Sequence, residues 1–426
     1  MQLQEAKALA LQLASPGKSE AIALRDALGR VLAESVESDR SIPGEARSRW
    51  DGFALRSSDT LDASPANPIS LKILPGMLAA GHSTEEDVLP GYCLRIFTGA
   101  PLPAGADAVV RQEDVVETGN QLVLKHPCDA GSGVTAPGVE ILKGQCLLPM
   151  GAILTPTRCA LLAGLGKGTV LVYRRPRVAL LATGDEVREL GEPSEGPFTF
   201  CNNRYLLEWL VMSHGGVPLV LGCVEDHPGH IAGRLRDVDA DMVITTGGMG
   251  RGRRDFILEV WQELGVHLHF SRIALSPGKN SALGSSQNRL FWGLPGNPWG
   301  AQLVFQELVA PVLLRMGGHV EGKAPGLRAI LQAPVKRKQE GTLAIRGMLN
   351  LETLPPAFLP QSKKSGPLYE ELRNSFAYIL LEAHVQELAK GSEVQTYLHD
   401  LPLSAHPILG RNVSVALCIS PAHPIP

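Results

Sequence analysis

Between residues 177 and 318, short apolar runs alternate with amphipathic segments, and this alternation constrains the fold more than any other feature of the chain. The pattern predicts buried strands at RVALLAT, VPLVLGC, DMVITT and RLFWGL, and helices at NNRYLLEWLVMS, HIAGRLRDV, DFILEVWQELG and AQLVFQELVAPVLLRM. Strands that alternate with helices need crossover connections, so we expect an α/β domain with a doubly wound, mostly parallel sheet covered on both faces. Ligands bind beyond the carboxyl ends of such strands, where the loops TGDE, TGGMGRGRRD and LPGNP leave the sheet.

The segments on either side of this domain have a different pattern. Residues 1–35 carry apolar residues at helical spacing in QEAKALALQLA and in EAIALRDALGRVLAESV, which predicts helices. From about residue 50 to 150, short apolar runs divided by Gly, Pro and Asp predict a β-rich region. Residues 151–173 predict a short helix, capped by Thr155 or Thr157, and then a strand. Residues 323–399 predict a small β-domain, and the prolines beyond it a poorly ordered tail.

The bulk composition narrows the class of protein. With 426 residues the chain is too long for one core, so two to four domains are expected. The net charge of −3 indicates neither nucleic acid nor a membrane surface as a partner, and no stretch approaches the ~20 apolar residues that span a bilayer. The seven cysteines form no Cys-x-x-Cys pair and have no His partner at ligand spacing, which argues against a zinc site and favours a reducing compartment. The first 20 residues do not resemble a signal peptide, so a cytoplasmic protein is predicted.

The loop TTGGMGRGRRD at 245–255 is a candidate anion-binding site. Its glycine amides and the positive end of the following helix can cradle a phosphate, with Asp255 either capping that helix or holding a cation. The alternative, of similar weight, is a plain glycine turn with Asp255 as an N-cap. The loop is not a P-loop, since no Gly-Lys-Ser/Thr follows, and it lies in the third crossover, not the first as in a Rossmann fingerprint.

Three further polar residues follow predicted strands. Glu186 in TGDE lies where α/β sheets bind ligands, although surface turns also carry such acids. Asn297 in LPGNP lies in a stiff loop that suits recognition of a flat heterocycle; the alternative is a simple turn with Pro298 at the first helical position. Lys279 in SPGKN can reach a phosphate or another oxyanion, but surface lysines are far commoner than ligand lysines.

In the β-rich region, Asp51 and Thr98 each lie beside a glycine turn, and taken singly both are typical turn residues. Taken together and in order, however, six motifs resemble those of the molybdopterin molybdenumtransferase family, the MoeA and gephyrin E-domain proteins. The motifs are WDGFA at 50–54, TGAPLPAGADAVV at 98–110, TGDE at 183–186, TTGGMGRGRRD at 245–255, SPGKN at 276–280 and GLPGNP at 293–298. The resemblance covers roughly residues 1–400, and six ordered motifs make coincidence implausible.

The resemblance implies a homodimer of elongated, four-domain subunits. The implied domains are a discontinuous helical dimerisation domain (1–36 plus 129–174), an inserted β-domain (37–128), a MogA-like molybdopterin-binding α/β domain (175–318) and a small C-terminal β-barrel domain (319–400), with a tail at 401–426. In the family the cleft lies between the pterin-binding domain of one subunit and the inserted β-domain of the other. Asp51 and Thr98 would therefore act across the dimer.

The resemblance also implies a reaction, the Mg²⁺-dependent insertion of molybdate into adenylylated molybdopterin with release of AMP. Other proteins of molybdenum cofactor biosynthesis are implied as possible partners. The resemblance implies a catalytic role for Asp51, Thr98, Glu186, Asp255 and Lys279. It implies metal binding by Asp226 and Asp255. The residues implied for substrate binding are Thr246, Gly247, Gly248, Gly250, Gly252, Arg272, Ser276, Pro277, Gly278, Pro295, Gly296, Asn297 and Pro298. Hard carboxylates suit a divalent ion on phosphate oxygens, and basic side chains suit molybdate.

Several departures from the family pattern fall in the implied site. Gly250 replaces a serine, Ser276 replaces a lysine, and Cys201 replaces the aspartate before the Asn-Arg that begins a helix, with Asn203 retained. Three arginines surround Asp255, and they weaken the attraction of its carboxylate for a cation while still offering forks for a phosphate. The alternative function is therefore a non-catalytic molybdopterin-binding paralogue, a cofactor carrier or handling protein with an altered anion loop.

Overall fold

The computed structural model describes residues 1–192, 196–249, 256–320, 326–337, 340–361 and 377–399. The chain divides into two compact units, here called the β unit (residues 35–149) and the main unit (residues 1–34 and 150 onward). The predicted tail at 401–426 lies outside the described residues. The finer division into four domains stays a prediction.

The first elements in chain order are a helix and eleven strands. They are α1 (Leu3–Leu13) and β1 (Ser19–Ala23) of the main unit, followed in the β unit by β2 (Val36–Glu37), β3 (Arg47–Ser48), β4 (Gly52–Leu55), β5 (Ile69–Leu78), β6 (Tyr92–Ile96), β7 (Ala108–Arg111), β8 (Val116–Thr118), β9 (Gln121–Leu124), β10 (Val134–Thr135) and β11 (Cys146–Leu148). Within the β unit, six of the described strands form one sheet in the order β7-β4-β6-β5-β9-β8. The prediction of a β-rich region at about residues 50–150 is confirmed.

Back in the main unit, α2 (Pro156–Gly164) and β12 (Thr169–Tyr173) follow. The predicted cap is confirmed, because the Thr155 side chain accepts a hydrogen bond from the backbone N–H of Arg158. The predicted second N-terminal helix, EAIALRDALGRVLAESV, is wrong: its first residues form β1, which pairs antiparallel with β12. The β-branched and aromatic side chains of TVLVY make β12 a strong strand, and this pairing overrides the helical spacing of its partner.

The α/β domain begins at β13. Its strands are β13 (Arg177–Thr183), β14 (Val187–Arg188), β15 (Thr199–Phe200), β16 (Val217–Val224), β17 (Met242–Thr246), β18 (His267–Phe270), β19 (Leu275–Ser276), β20 (Ala282–Ser286) and β21 (Arg289–Leu294). Its helices are α3 (Asn202–Ser213), α4 (Pro228–Leu235), α5 (Ile257–Glu263), α6 (Pro298–Val304) and α7 (Ala310–Met316), with a π-helical segment, Phe305–Val309, between the last two.

The main sheet of this domain is doubly wound and mostly parallel, as predicted. Its described strands have the order β16-β13-β17-β21-β20-β18, in which all run in the same direction except β20, which pairs antiparallel with β21 and with β18. Alternate residues of β13 pack on opposite faces: Val178 and Leu180 join a core with α3, α6 and α7, whereas Ala179 and Leu181 join a core with α4 and α5. Helices therefore cover both faces, which explains the continuous apolar run of β13.

The C-terminal strands are β22 (Leu327–Leu331), β23 (Val335–Lys336), β24 (Thr342–Asn350), β25 (Ala357–Pro360), β26 (Ala377–Leu381), β27 (Glu387–Leu388) and β28 (Glu393–Leu398). Among the described residues, five of them close into a barrel in the order β24-β25-β22-β28-β26, because β26 pairs again with β24. The predicted small β-barrel domain is confirmed. Strand β19 of the α/β domain extends this sheet by pairing with the start of β24.

Candidate functional site

A cleft of about 430 Å³ lies at the carboxyl ends of β13, β17 and β21. Its walls come from the three loops that leave these strands, together with the start of α3 and strand β15. The lining residues are Ala182, Thr183, Gly184, Glu186, Val187, Thr199, Phe200, Cys201, Asn202, Asn203, Asp226, Thr246, Gly247, Gly248, Met249, Asn280, Pro295 and Gly296. The position is the one expected for a ligand site in an open α/β sheet.

Seven residues of the predicted site meet in this cleft. They are Glu186, Asp226, Thr246, Gly247, Gly248, Pro295 and Gly296. The prediction that TGDE, TTGG and LPGN face a common space therefore agrees with the fold. Which of these residues bind or react stays a prediction.

The turn at Gly247 and Gly248 requires glycine for steric reasons. Gly247 has φ +93°, and a Cβ there would lie 2.2 Å from the carbonyl oxygen of Thr183. Gly248 has φ +57°, and a Cβ there would lie 3.1 Å from Thr183 Oγ1. A Cβ built at Gly296 would come within 3.8 Å of the Gly247 Cα, so the two glycine turns approach each other closely. Backbone without side chains thus forms this part of the cleft wall. Such a wall lets a large anion approach the backbone N–H groups closely.

Asn203 connects the two turns, although it was not among the predicted site residues. Its Nδ2 donates to Thr246 Oγ1 over 2.9 Å and to the Gly296 carbonyl over 2.8 Å. Its Oδ1 is buried and has no hydrogen-bond partner among the described residues. A buried acceptor beside a cleft is the kind of group that a ligand donor satisfies. The retained Asn-Arg at the start of α3 was the only sequence signal for it.

Side-chain oxygen atoms also line the cleft. Glu186 and Asp226 contribute carboxylates, and the backbone N–H of Asp226 donates to Asp185 Oδ1 over 3.0 Å. Thr183 Oγ1 is buried, with no hydrogen-bond partner in the part of the chain that the structure describes. Carboxylate and hydroxyl oxygens are the donors that Mg²⁺ prefers, so this set of residues fits a magnesium ion.

The segment SPGKN contributes only its last residue to the cleft. Asn280 lines it and accepts a hydrogen bond from Arg272 Nη2 over 3.3 Å. Asn297 caps α6, since its Oδ1 accepts from the Gly300 N–H over 3.0 Å, so the simple-turn interpretation of LPGNP holds for this side chain. Several described residues of the predicted site lie outside the lining: Arg272, Ser276, Pro277, Gly278, Lys279, Asn297 and Pro298.

Two predicted catalytic residues, Asp51 and Thr98, lie in the β unit. They flank the antiparallel pair β4–β6, whose register places Gly52 opposite Ile96. The backbone N–H and the hydroxyl of Thr98 both donate to Asp51 Oδ1, over 2.8 and 2.9 Å. These two bonds hold the pKa of Asp51 below its usual value, the backbone bond contributing more. Asp51 is therefore an exposed, fixed carboxylate.

A second group of polar side chains adjoins the cleft at the start of α3. Glu189, Cys201 and Cys223 each contribute a potential ligand atom, and these three atoms all lie within 4.8 Å of one another. The hydrogen bond from Cys223 lowers the pKa of the Cys201 thiol. The pKa of Cys223 is raised, by its hydrogen bond to Cys201, by burial and by the Glu189 carboxylate.

Three predicted site residues, Gly250, Gly252 and Asp255, lie outside the described residues. The part of the predicted anion cradle that falls on residues 250–255 and the metal-ligand role of Asp255 therefore stay predictions. Among the described residues no helix combines the length and apolar character needed to cross a membrane.

A doubly wound domain with a glycine-walled cleft, in a chain that also contains a β unit and a five-stranded barrel, defines a multidomain α/β protein with a ligand site at the carboxyl ends of its strands. Residues 1–166 match the family profile described as the MoeA N-terminal region (domain I and II), and residues 179–315 match the probable molybdopterin binding domain. The chain belongs to the molybdopterin molybdenumtransferase family, a family of enzymes. The family resemblance and the enzyme prediction are confirmed.

Similar proteins match over most of the chain. The molybdopterin molybdenumtransferase of Bacillus subtilis is 30% identical over 388 residues, 90% of each chain. That of Haemophilus influenzae is 34% identical over 318 residues, 74% of this chain and 77% of its own. A crystal structure of the molybdopterin biosynthesis MoeA protein from Pyrococcus horikoshii superposes with a TM-score of 0.85 at 29% identity, covering 94% of this chain and 99% of that one.

Proposed function

We propose that this protein inserts molybdenum into molybdopterin, taking adenylylated molybdopterin and molybdate as substrates and releasing AMP. The observation that carries the proposal is the meeting of TTGG and LPGN, tied by Asn203, in one cleft that also holds Glu186 and Asp226. Relatives named molybdopterin molybdenumtransferase that match most of the chain support the transfer of molybdenum to molybdopterin, whereas the adenylylated substrate and the release of AMP rest on the family resemblance.

The described residues suggest a division of roles. The bare backbone at Gly247 and Gly248 admits the phosphate part of the adenylate, and Asn203 Oδ1 is an acceptor for a donor group of the pterin. Glu186, Asp226 and Thr183 would hold Mg²⁺, which neutralises phosphate charge when bound. Asp255 would join them by family resemblance.

Other parts of the proposal rest on the family resemblance alone. They are the homodimer, the action of Asp51 and Thr98 across it, the role of Lys279 and Arg272 toward molybdate, a cytoplasmic location and partners among other molybdenum cofactor biosynthesis proteins. Because Asp51 is already fixed as a carboxylate by two hydrogen bonds from Thr98, it can orient a water or a leaving group without rearrangement.

The test is AMP release by the purified full chain, incubated with adenylylated molybdopterin, Mg²⁺ and molybdate. We expect molybdate-dependent AMP release by the wild type. Asp226→Ala should lose it, whereas Glu225→Gln, which changes an exposed neighbour outside the cleft lining, should keep it. Tight binding of the adenylate without AMP release would refute the proposal and select the non-catalytic paralogue, which the relatives do not favour.

A further inference from the structure

Glu189, Cys201 and Cys223 come together through the local fold of the cleft wall. Strands β14 and β15 pair in parallel with Val187 opposite Thr199 and Arg188 opposite Phe200, which brings the next residues, Glu189 and Cys201, side by side. Cys223 lies at the carboxyl end of β16, and its Sγ donates to Glu189 Oε1 over 3.3 Å. Two thiols and a carboxylate therefore converge from three different segments, a convergence that no spacing in the sequence indicates.

The geometry of the three ligand atoms suits a tetrahedral cation. Zinc binds sulfur at about 2.3 Å and carboxylate oxygen at about 2.0–2.2 Å, which places its ligands about 3.5–4 Å from one another. The three atoms lie within 4.8 Å of one another, so a small adjustment of the side chains brings them to that spacing. Thiolate sulfur selects zinc over magnesium or calcium, which prefer oxygen ligands.

The charges around the cluster also favour a cation. Arg204 Nε lies 3.0 Å from Glu189 Oε1, and its Nη1 lies 2.9 Å from Glu208 Oε2. Because the single guanidinium of Arg204 is shared by two carboxylates, Glu189 and Glu208, these three charged side chains together keep an excess of negative charge. The guanidinium also fixes the Glu189 carboxylate, as the hydrogen-bonding neighbours of metal ligands commonly do.

We propose that Glu189, Cys201 and Cys223 bind Zn²⁺, with the fourth coordination position open to the cleft. Cys201 is only 2% exposed yet lines the cleft, so an ion beside its sulfur faces the space where a ligand enters. Three protein ligands with one open position are the arrangement of reactive zinc sites, whereas structural zinc sites have four. This reverses the expectation from cysteine spacing that the chain has no zinc site.

The test measures Zn²⁺ binding by the reduced full chain against a chromophoric chelator, without pterin, molybdate or Mg²⁺. We expect about one Zn²⁺ per chain for the wild type and for the control Cys159→Ser, a half-buried cysteine of α2. Cys201→Ser and Cys223→Ser should each weaken binding by at least about 10-fold. With Co²⁺ in place of Zn²⁺, the wild type and Glu189→Gln should show a thiolate charge-transfer band with the intensity of two sulfur ligands, which tests both cysteines even if one serine variant is unstable.

Two results would overturn the site. One is equal Zn²⁺ affinity in Cys201→Ser, Cys223→Ser and the wild type. The other is a reduced wild type that binds no Zn²⁺ while its air-oxidised form carries a Cys201–Cys223 disulfide, which would assign the pair to redox chemistry. Neither result bears on AMP release, since the binding measurement contains none of the substrates of the proposed reaction.

Discussion

The substitution Gly247→Ala tests whether the ends of β17 and β13 are packed too closely for any side chain at residue 247. An alanine Cβ at this position would lie 2.2 Å from the Thr183 carbonyl oxygen and 3.0 Å from its Oγ1. Both atoms belong to Thr183 at the end of β13. An alanine methyl group has no alternative rotamer, so it cannot turn away from the Thr183 carbonyl oxygen. The substitution must therefore move the end of β17 away from that of β13.

Two contributions set the expected loss of stability. The left-handed backbone at φ +93° costs an alanine about 1–2 kcal/mol. Overpacking against the Thr183 carbonyl adds about 1–3 kcal/mol. The matched control is Gly215→Ala, since Gly215 has φ +81° and a Cβ there would meet nothing within 4 Å. The control should lose only the first contribution, about 1–2 kcal/mol.

The assay is urea unfolding followed by tryptophan fluorescence, because Trp292 on the neighbouring strand β21 is fully buried and reports on this domain. Gly247→Ala should unfold at a lower urea concentration than Gly215→Ala, and it should bind the adenylate more weakly because the cleft wall has moved. Equal midpoints for the two variants would refute the steric reasoning, since they would show that the Thr183 contact contributes nothing.

Three further predictions concern two buried polar side chains, Asn203 and Glu307, and the half-buried His319. Asn203→Ala removes two hydrogen bonds and should cost about 2 kcal/mol in urea unfolding; an unchanged midpoint would contradict the connection between the turns. Glu307→Ala leaves Lys7 and the buried Tyr378 hydroxyl without their shared carboxylate and should cost about 3–5 kcal/mol. Glu307→Gln, which keeps an acceptor, should melt between that variant and the wild type, and a wild-type melting temperature for Glu307→Ala would refute the role. Burial lowers the pKa of His319, so the folded chain binds fewer protons than the unfolded one and stability is lost as pH falls below about 6.5. His319→Asn should lose less stability than the wild type over that range, and parallel pH profiles would exclude this contribution.

The sequence predicted the α/β domain well because each signal there was local. The apolar run of β13, the glycine stop of α3 and the turn after β21 follow from residues next to one another, and strand order then places their loops at one edge. The same logic placed Glu186, Thr246 and Gly296 in a common cleft, as the structure shows.

Features that depend on distant partners could not be predicted. Strand β1 looks helical by its own spacing and becomes a strand only because β12 pairs with it. The hydrogen bond from Asn203 to Gly296 and the proximity of Glu189, Cys201 and Cys223 join residues that are distant in the sequence. No spacing in the sequence indicates such contacts. The motif SPGKN does not show which of its side chains lines the cleft: Asn280 does, whereas the role of Lys279 stays a prediction.

The barrel restrains the segment that precedes Lys279, because β19 of the α/β domain pairs with β24 of the barrel. Leu275 pairs with Thr342 and Ser276 with Leu343, and the Thr342 N–H donates to the Ala274 carbonyl over 2.8 Å. Without this anchorage, residues 271–281 would be one long excursion between β18 and β20; with it, they are two short spans whose closure costs less entropy. A chain shortened to its first 320 residues would lose β24, and the segment that carries Lys279 would then be less ordered. The barrel therefore restrains a loop of the domain that precedes it in the chain.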